Sequence, residues 1–89
     1  MAKLPLFGCE EFKKALKYLG FEIDESRGKG GHALAKHHSK KSSLDQRTFI
    51  TIKGDKEYYD PSFRGLLVRQ TVAFGFTRDE VIAAINKFK

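Results

Sequence analysis

The chain has 89 residues, of which 40% are hydrophobic and 31% charged, and its formal net charge is +6 at pH 7. This apolar share, with eight phenylalanines, excludes a disordered chain, and the length predicts a single domain, residues 1–89, with one modest core. A single cysteine excludes an internal disulfide and a thiolate zinc site. With no secretory signal and no apolar run of the ~20 residues that cross a bilayer, the sequence predicts a cytoplasmic protein that does not enter the membrane.

The positive charge is concentrated between residues 27 and 44. This segment contains no acidic residue, whereas the other 12 of the 17 basic residues are nearly balanced by the 11 acidic ones. Its basic residues are Arg27, Lys29, Lys36, Lys40 and Lys41. Such a region is typical of proteins that bind a polyanion, with nucleic acid the first candidate and an acidic protein surface the second. A solvated loop that keeps the protein soluble is the alternative.

The first predicted helix covers residues 10–19, and Gly20 ends it. Its apolar residues recur at the spacing of one buried helical face: Phe12, Ala15, Leu16 and Leu19. Residues 21–26 then alternate, with Phe21 and Ile23 on one side and acidic residues between them. This alternation predicts a half-buried strand.

A second strand is predicted at residues 32–37, and its alternation leaves two interpretations open. Leu34 shares one side with His32 and Lys36, and the two alanines share the other side with His37. The sequence does not decide which side is covered.

Between these strands lies a glycine-rich turn, residues 27–32, RGKGGH. Its glycines let the backbone approach a ligand closely, and free N–H groups beside Arg27 and Lys29 suit a phosphate. His32 is the side chain best suited to move protons near neutral pH. Together they indicate a site that holds a phosphodiester and performs proton transfer on it. A hairpin turn with solvated cations is the alternative.

The remaining elements follow from turn and capping signals. A polar loop at 38–48 leads to a third strand at 49–53 and a connection that contains Tyr58 and Tyr59. These tyrosines are expected to anchor the loop or join the core, and stacking on bases is the alternative. Asp60 and Pro61 begin a second helix, which Gly75 ends. The predicted apolar residues of that helix are Phe63, Leu66, Leu67 and Phe74. Residues 77–80, TRDE, form a capping box that begins a third helix.

The element order therefore predicts an α+β domain, α-β-β-β-α with a short additional C-terminal helix. Three consecutive strands favour an antiparallel sheet with the helices on one face. This order is that of the double-stranded RNA-binding domain (dsRBD), although a fold does not determine a function.

Several short motifs in this order resemble the HicA (YcfA-like) mRNA interferase toxins of prokaryotic toxin–antitoxin pairs. The matching segments are residues 19–21 LGF, 29–32 KGGH, 50–54 ITIKG, 61–70 PSFRGLLVRQ and 75–81 GFTRDEV. The resemblance covers roughly residues 8 to 85. The chain departs from the family pattern at Gly31, where the family often has serine, at Ala33, and at Lys53, where the family often has histidine.

The resemblance implies a dsRBD-like fold, endonucleolytic cleavage of RNA, and a HicB-like antitoxin that covers the RNA-binding face. It implies that His32 is the catalytic histidine and that Lys29, Gly30 and Gly31 lie against the scissile phosphate. Arg27 or Lys36 would then help to stabilise charge on the phosphoryl oxygens. No cofactor and no metal are expected, because no carboxylate cluster marks a divalent cation site.

Two other functions are compatible with the sequence. A non-catalytic RNA-binding module would need only the dsRBD-like order and the basic segment, which suffice to recognise shape and phosphate. A protein-interaction adaptor would direct the basic segment to an acidic partner, of which an antitoxin is one example.

Overall fold

A computed structural model of the chain describes residues 4–25, 33–37 and 49–89. Its elements are α1 (Cys9–Tyr18), β1 (Phe21–Asp24), β2 (Ala33–His37), β3 (Ile50–Ile52), α2 (Pro61–Val72) and α3 (Arg78–Lys87). This confirms the predicted α-β-β-β-α order with an additional C-terminal helix. That last helix has 10 residues, as many as α1.

The ends of the elements differ slightly from the predicted ones. The first helix begins one residue early because the Glu11 carboxylate accepts a hydrogen bond from the N–H of Gly8, at 2.9 Å, which satisfies a donor that α1 leaves free. β1 and β3 are shorter than predicted, and β3 has only three residues. The predicted polar loop at 38–48 lies outside the described residues.

The three strands form one antiparallel sheet in the order β1-β2-β3. Ala33 and Ala35 are buried, so this side of β2 is the covered one and Lys36 points away from the core. In register with them, Phe21, Ile50 and Ile52 are buried on the same side. The opposite side, called the open face below, carries Glu22, Asp24, Leu34, Lys36 and Thr51.

The helices supply the other half of the core. Among the residues that the structure describes, seventeen buried ones form one cluster that joins the covered side of the sheet to the three helices. In α2 the predicted apolar face is only partly right, since Phe63 and Leu66 are half-buried whereas Val68 and Thr71 are buried. Thr71 is tolerated there because its hydroxyl donates a hydrogen bond to the Leu67 carbonyl, at 2.8 Å.

Both predicted caps are present. The Asp60 carboxylate accepts a hydrogen bond from the N–H of Ser62, at 2.9 Å, and Pro61 is the first residue of α2. At α3 the Thr77 hydroxyl accepts from the N–H of Glu80, at 3.1 Å, and the Glu80 carboxylate accepts from the N–H of Thr77, at 2.8 Å. These local bonds fix where α2 and α3 begin.

The segment before α1 is bound to the connection between β3 and α2. The N–H of Tyr58 donates to the Phe7 carbonyl, at 2.9 Å, and the N–H of Cys9 donates to the Asp55 carbonyl, at 3.0 Å. Between these two bonds Gly8 lies directly against the Lys56 carbonyl group, leaving no space for a side chain. We call this arrangement the N-terminal strap.

Tyr58 and Tyr59 occupy opposite environments. Tyr58 is buried, edge-on to Phe7 and Phe63, and its hydroxyl donates to the Lys53 carbonyl. Burial is the main reason that the pKa of its phenol is raised. Tyr59 is 74% exposed. Tyr58 therefore joins the core, one of the two expected roles, whereas the Tyr59 hydroxyl is hydrogen-bonded to the Glu57 carboxylate within the same connection.

Candidate nucleic-acid interface

Most of the predicted site lies outside the described residues. This applies to Arg27, Lys29, Gly30, Gly31 and His32. The structure instead describes the two chain segments from which the turn departs.

On one side of the turn, β1 ends at Asp24 and is followed by Glu25. On the other side, β2 begins at Ala33, which is buried. Asp24 pairs with Leu34 in the ladder, so the two ends of the segment are held next to each other.

Lys36 is the one predicted phosphate-binding residue that the structure describes. It is exposed on the open face, and in the antiparallel register it lies directly across from Glu22. Opposite charges at such cross-strand positions attract each other. The ammonium of Lys36 is therefore available to solvent, but a carboxylate competes for it.

A shallow recess of about 400 Å³ lies at the β1 side of the open face. Its walls include three carboxylate side chains and one ammonium: Glu22, Asp24, Glu25 and Lys36. Carboxylates disfavour a phosphate close to them. Among the residues that the structure describes, this side of the open face is thus poorly suited to a nucleic-acid backbone.

His37 belongs to the covered side of β2, not to the open face. Its Nε2 lies 3.2 Å from the Leu19 carbonyl oxygen, and its ring is edge-on to Phe21 at a centroid distance of 5.0 Å. The ring of Phe76 is also near, at 5.9 Å. These contacts give His37 a structural role that its place in the basic segment did not suggest.

Gly20 makes that arrangement possible. Its φ of +98° is in the left-handed region, and a Cβ there would lie 2.8 Å from Nε2 of His37. The motif LGF at 19–21 is thereby explained: Leu19 offers the carbonyl, Gly20 leaves room for the imidazole, and Phe21 packs against it.

Gly20→Ala is expected to lower the free energy of unfolding by about 1–2 kcal/mol, the cost of the left-handed conformation for a residue with a Cβ. The contact with the imidazole adds to that cost. Urea denaturation followed by circular dichroism measures the change. When Gly20→Ala is made in the His37→Ser variant, the cost of the left-handed backbone should remain. The steric cost should disappear, because the imidazole is no longer present. If Gly20→Ala is as stable as wild type, Gly20 is neither left-handed nor packed against His37 as described.

A contact that sequence reasoning missed joins α1 to the end of β1. Nζ of Lys13 lies 2.6 Å from a carboxylate oxygen of Glu25 and 3.8 Å from one of Glu10. The hydrogen bond to Glu25 is the main reason that the pKa of Lys13 is raised, and the same bond lowers the pKa of Glu25. No local signal predicts a pair 12 positions apart, because it depends on how the helix packs on the strand.

Lys53, at the position where the family pattern often has histidine, follows β3. Its ammonium lies 3.4 Å from the Asp55 carboxylate and 5.9 Å from the centroid of the Phe63 ring. These contacts involve the connection to α2, so they support a local structural role for Lys53.

Within the described ranges, no group of three or more His, Cys, Asp or Glu side chains is placed to hold a metal ion. None of the helices described here is long and apolar enough to cross a bilayer. Comparison with protein-family models, with curated proteins and with solved structures finds no match to this chain.

Proposed function

We propose that this chain is the toxin of a type II toxin–antitoxin pair and acts as an endoribonuclease that cleaves mRNA. The observation that carries the proposal is the sequence RGKGGH at 27–32, which connects two paired strands of a sheet whose open face the described helices leave uncovered. The ordered motifs at 19–21, 29–32, 50–54, 61–70 and 75–81 add the resemblance to the HicA family.

The proposed reaction is a transesterification that needs no metal. The ribose 2′-oxygen attacks the adjacent phosphorus, and the bond from phosphorus to the leaving 5′-oxygen breaks. His32 takes the proton from the 2′-hydroxyl or donates one to the 5′-oxygen. Lys29, together with Arg27 or Lys36, stabilises the charge on the phosphoryl oxygens. One positioned proton-transfer group contributes about 10²–10⁴-fold, so RNA binding must supply the rest of the acceleration.

The open face supports the part of the site that the structure describes. Lys36, proposed to contact the phosphate, is exposed on this face, which it shares with Leu34. His32 lies outside the described residues. Its place beside Leu34 and Lys36 is an expectation from strand alternation in the sequence.

The carboxylates near β1 limit where RNA would lie. Glu22 and Asp24 would repel phosphates, so the nucleic-acid backbone would run along the β2 side, towards the basic residues of 27–44. A HicB-like antitoxin with an acidic surface would compete for the same cations. Binding of RNA without cleavage remains the second candidate function, because the basic segment alone suffices for it.

The proposal predicts cleavage of RNA in the presence of EDTA and no cleavage of the all-DNA strand of equal sequence, since only RNA has the attacking 2′-hydroxyl. Gel electrophoresis of end-labelled strands measures both rates. Cleavage of the DNA strand at a comparable rate would contradict the mechanism. Salt-dependent binding of RNA with no product would favour the non-catalytic module instead.

A further inference from the structure

Lys13 differs from the other lysines that the structure describes. It is the only one of them that is not exposed, and its side chain is 14% accessible. Its neighbours Lys14 and Lys17 on the same helix are exposed. A lysine that gives up most of its hydration requires a carboxylate partner, and Glu25 supplies it at 2.6 Å.

Glu25 is the last described residue before the turn at 27–32. It lies beyond the final residue of β1, so ladder hydrogen bonds of the described sheet do not fix it. The contact with Lys13 attaches it to α1, and Lys17, one helical turn further on, also favours its negative charge. The opposite end of the turn is already fixed, because Ala33 is buried and paired with Ile52.

We infer that Lys13 is a positioning residue, which holds Glu25 against α1 and so fixes the direction in which the chain leaves β1 towards the cationic turn. This inference rests on the proposed function, which gives the turn its chemistry. We assign Lys13 a role through Glu25 and no direct role towards the substrate or the reacting atoms. Its effect is geometric, and a misplacement of about 1 Å can cost as much as 10²-fold in rate.

The test compares Lys13→Met, which retains the aliphatic stem without the charge, with Lys14→Met as matched control. Both variants lose one positive charge from α1 at adjacent positions, and only the first loses the contact with Glu25. We expect kcat for a labelled RNA to fall about tenfold in Lys13→Met with KM within about twofold of wild type. Lys14→Met should leave kcat unchanged, and Lys13→Arg should restore most of the rate.

Glu25→Ala and the Lys13→Met/Glu25→Ala double variant complete a thermodynamic cycle. Because each single substitution breaks the same contact, kcat of the double variant should be no lower than kcat of either single variant. Additive losses would overturn the inference, as would equal kcat values in Lys13→Met and Lys14→Met.

A second readout does not depend on catalysis. Trypsin cleaves after arginine and lysine, so mass spectrometry of a native digest measures the rates of cleavage after Arg27 and after Lys29. We expect these rates to rise severalfold in Lys13→Met relative to Lys14→Met. If wild type cleaves no RNA while the tryptic rates still separate the variants, the proposed function fails and the positioning role stands. Identical tryptic rates in the two variants would overturn the positioning role, whatever the nuclease assay shows.

Discussion

Gly8→Ala is expected to destabilise the folded chain by about 3 kcal/mol, the upper range for forcing extra atoms into a filled space. Gly8 is buried between the two hydrogen bonds of the N-terminal strap, and a methyl group there would overlap the Lys56 carbonyl. The atoms that the methyl group would meet belong to the main chain of Lys56, which is unable to rotate away as a side chain does. The φ of −126° is one that alanine adopts freely, so the effect is one of space alone.

Gly65→Ala is the matched control. Gly65 lies within α2, and a Cβ at this position meets no atom within 4 Å. Since alanine is the better helix former, this substitution should stabilise the fold by about 0.5–1 kcal/mol. Urea denaturation should therefore show a lower free energy of unfolding for Gly8→Ala and a higher one for Gly65→Ala. A Gly8→Ala variant as stable as wild type would show that the strap is not packed as described.

His32→Ala is expected to reduce RNA cleavage by about 10²–10⁴-fold while leaving the fold intact. The imidazole is proposed to transfer a proton in the rate-limiting step, and alanine is unable to do so. Single-turnover cleavage of labelled RNA measures the loss, with circular dichroism as the check on folding. Induction of the wild-type chain in cells should arrest growth, and induction of His32→Ala should not.

His37→Gln is the control for removal of a histidine from the same segment. His37 contacts Leu19 and Phe21 on the covered side of the sheet, so its replacement should lower stability without lowering the rate per folded molecule. If His32→Ala cleaves as fast as wild type, or if His37→Gln alone abolishes cleavage, the assignment of the catalytic histidine is wrong.

The fold was predictable where its signals are local. The caps at Asp60 and Thr77 use residues within three positions of each other, and the alternation of β1 is visible in four residues. The covered side of β2 was not predictable, because Leu34 is the larger apolar side chain and the structure covers the smaller Ala33 and Ala35 instead. Alternation gives the period of a strand, and the packing of the helices decides which side they cover.

The site was predictable only as a set of residue types in one turn. The sequence placed His32 among cations, whereas the contacts that the structure adds near the two strands involve residues distant in the chain, such as Lys13 with Glu25 and His37 with Leu19. Both contacts depend on the packing of α1 along β1, with the Leu19 contact near the beginning of the strand and the Lys13 contact near its end. A charge count likewise missed that Lys36 faces Glu22, because this pairing depends on strand register.

The N-terminal strap also has a consequence for the order of folding. Its two main-chain bonds join positions on the order of fifty residues apart, and the intervening chain contains α1, the whole sheet and the connection to α2. Closing so large a loop costs entropy that only a formed sheet can offset. The residues just ahead of α1 should therefore reach their final place late, after the strands have paired, although a ribosome synthesises them before the strands.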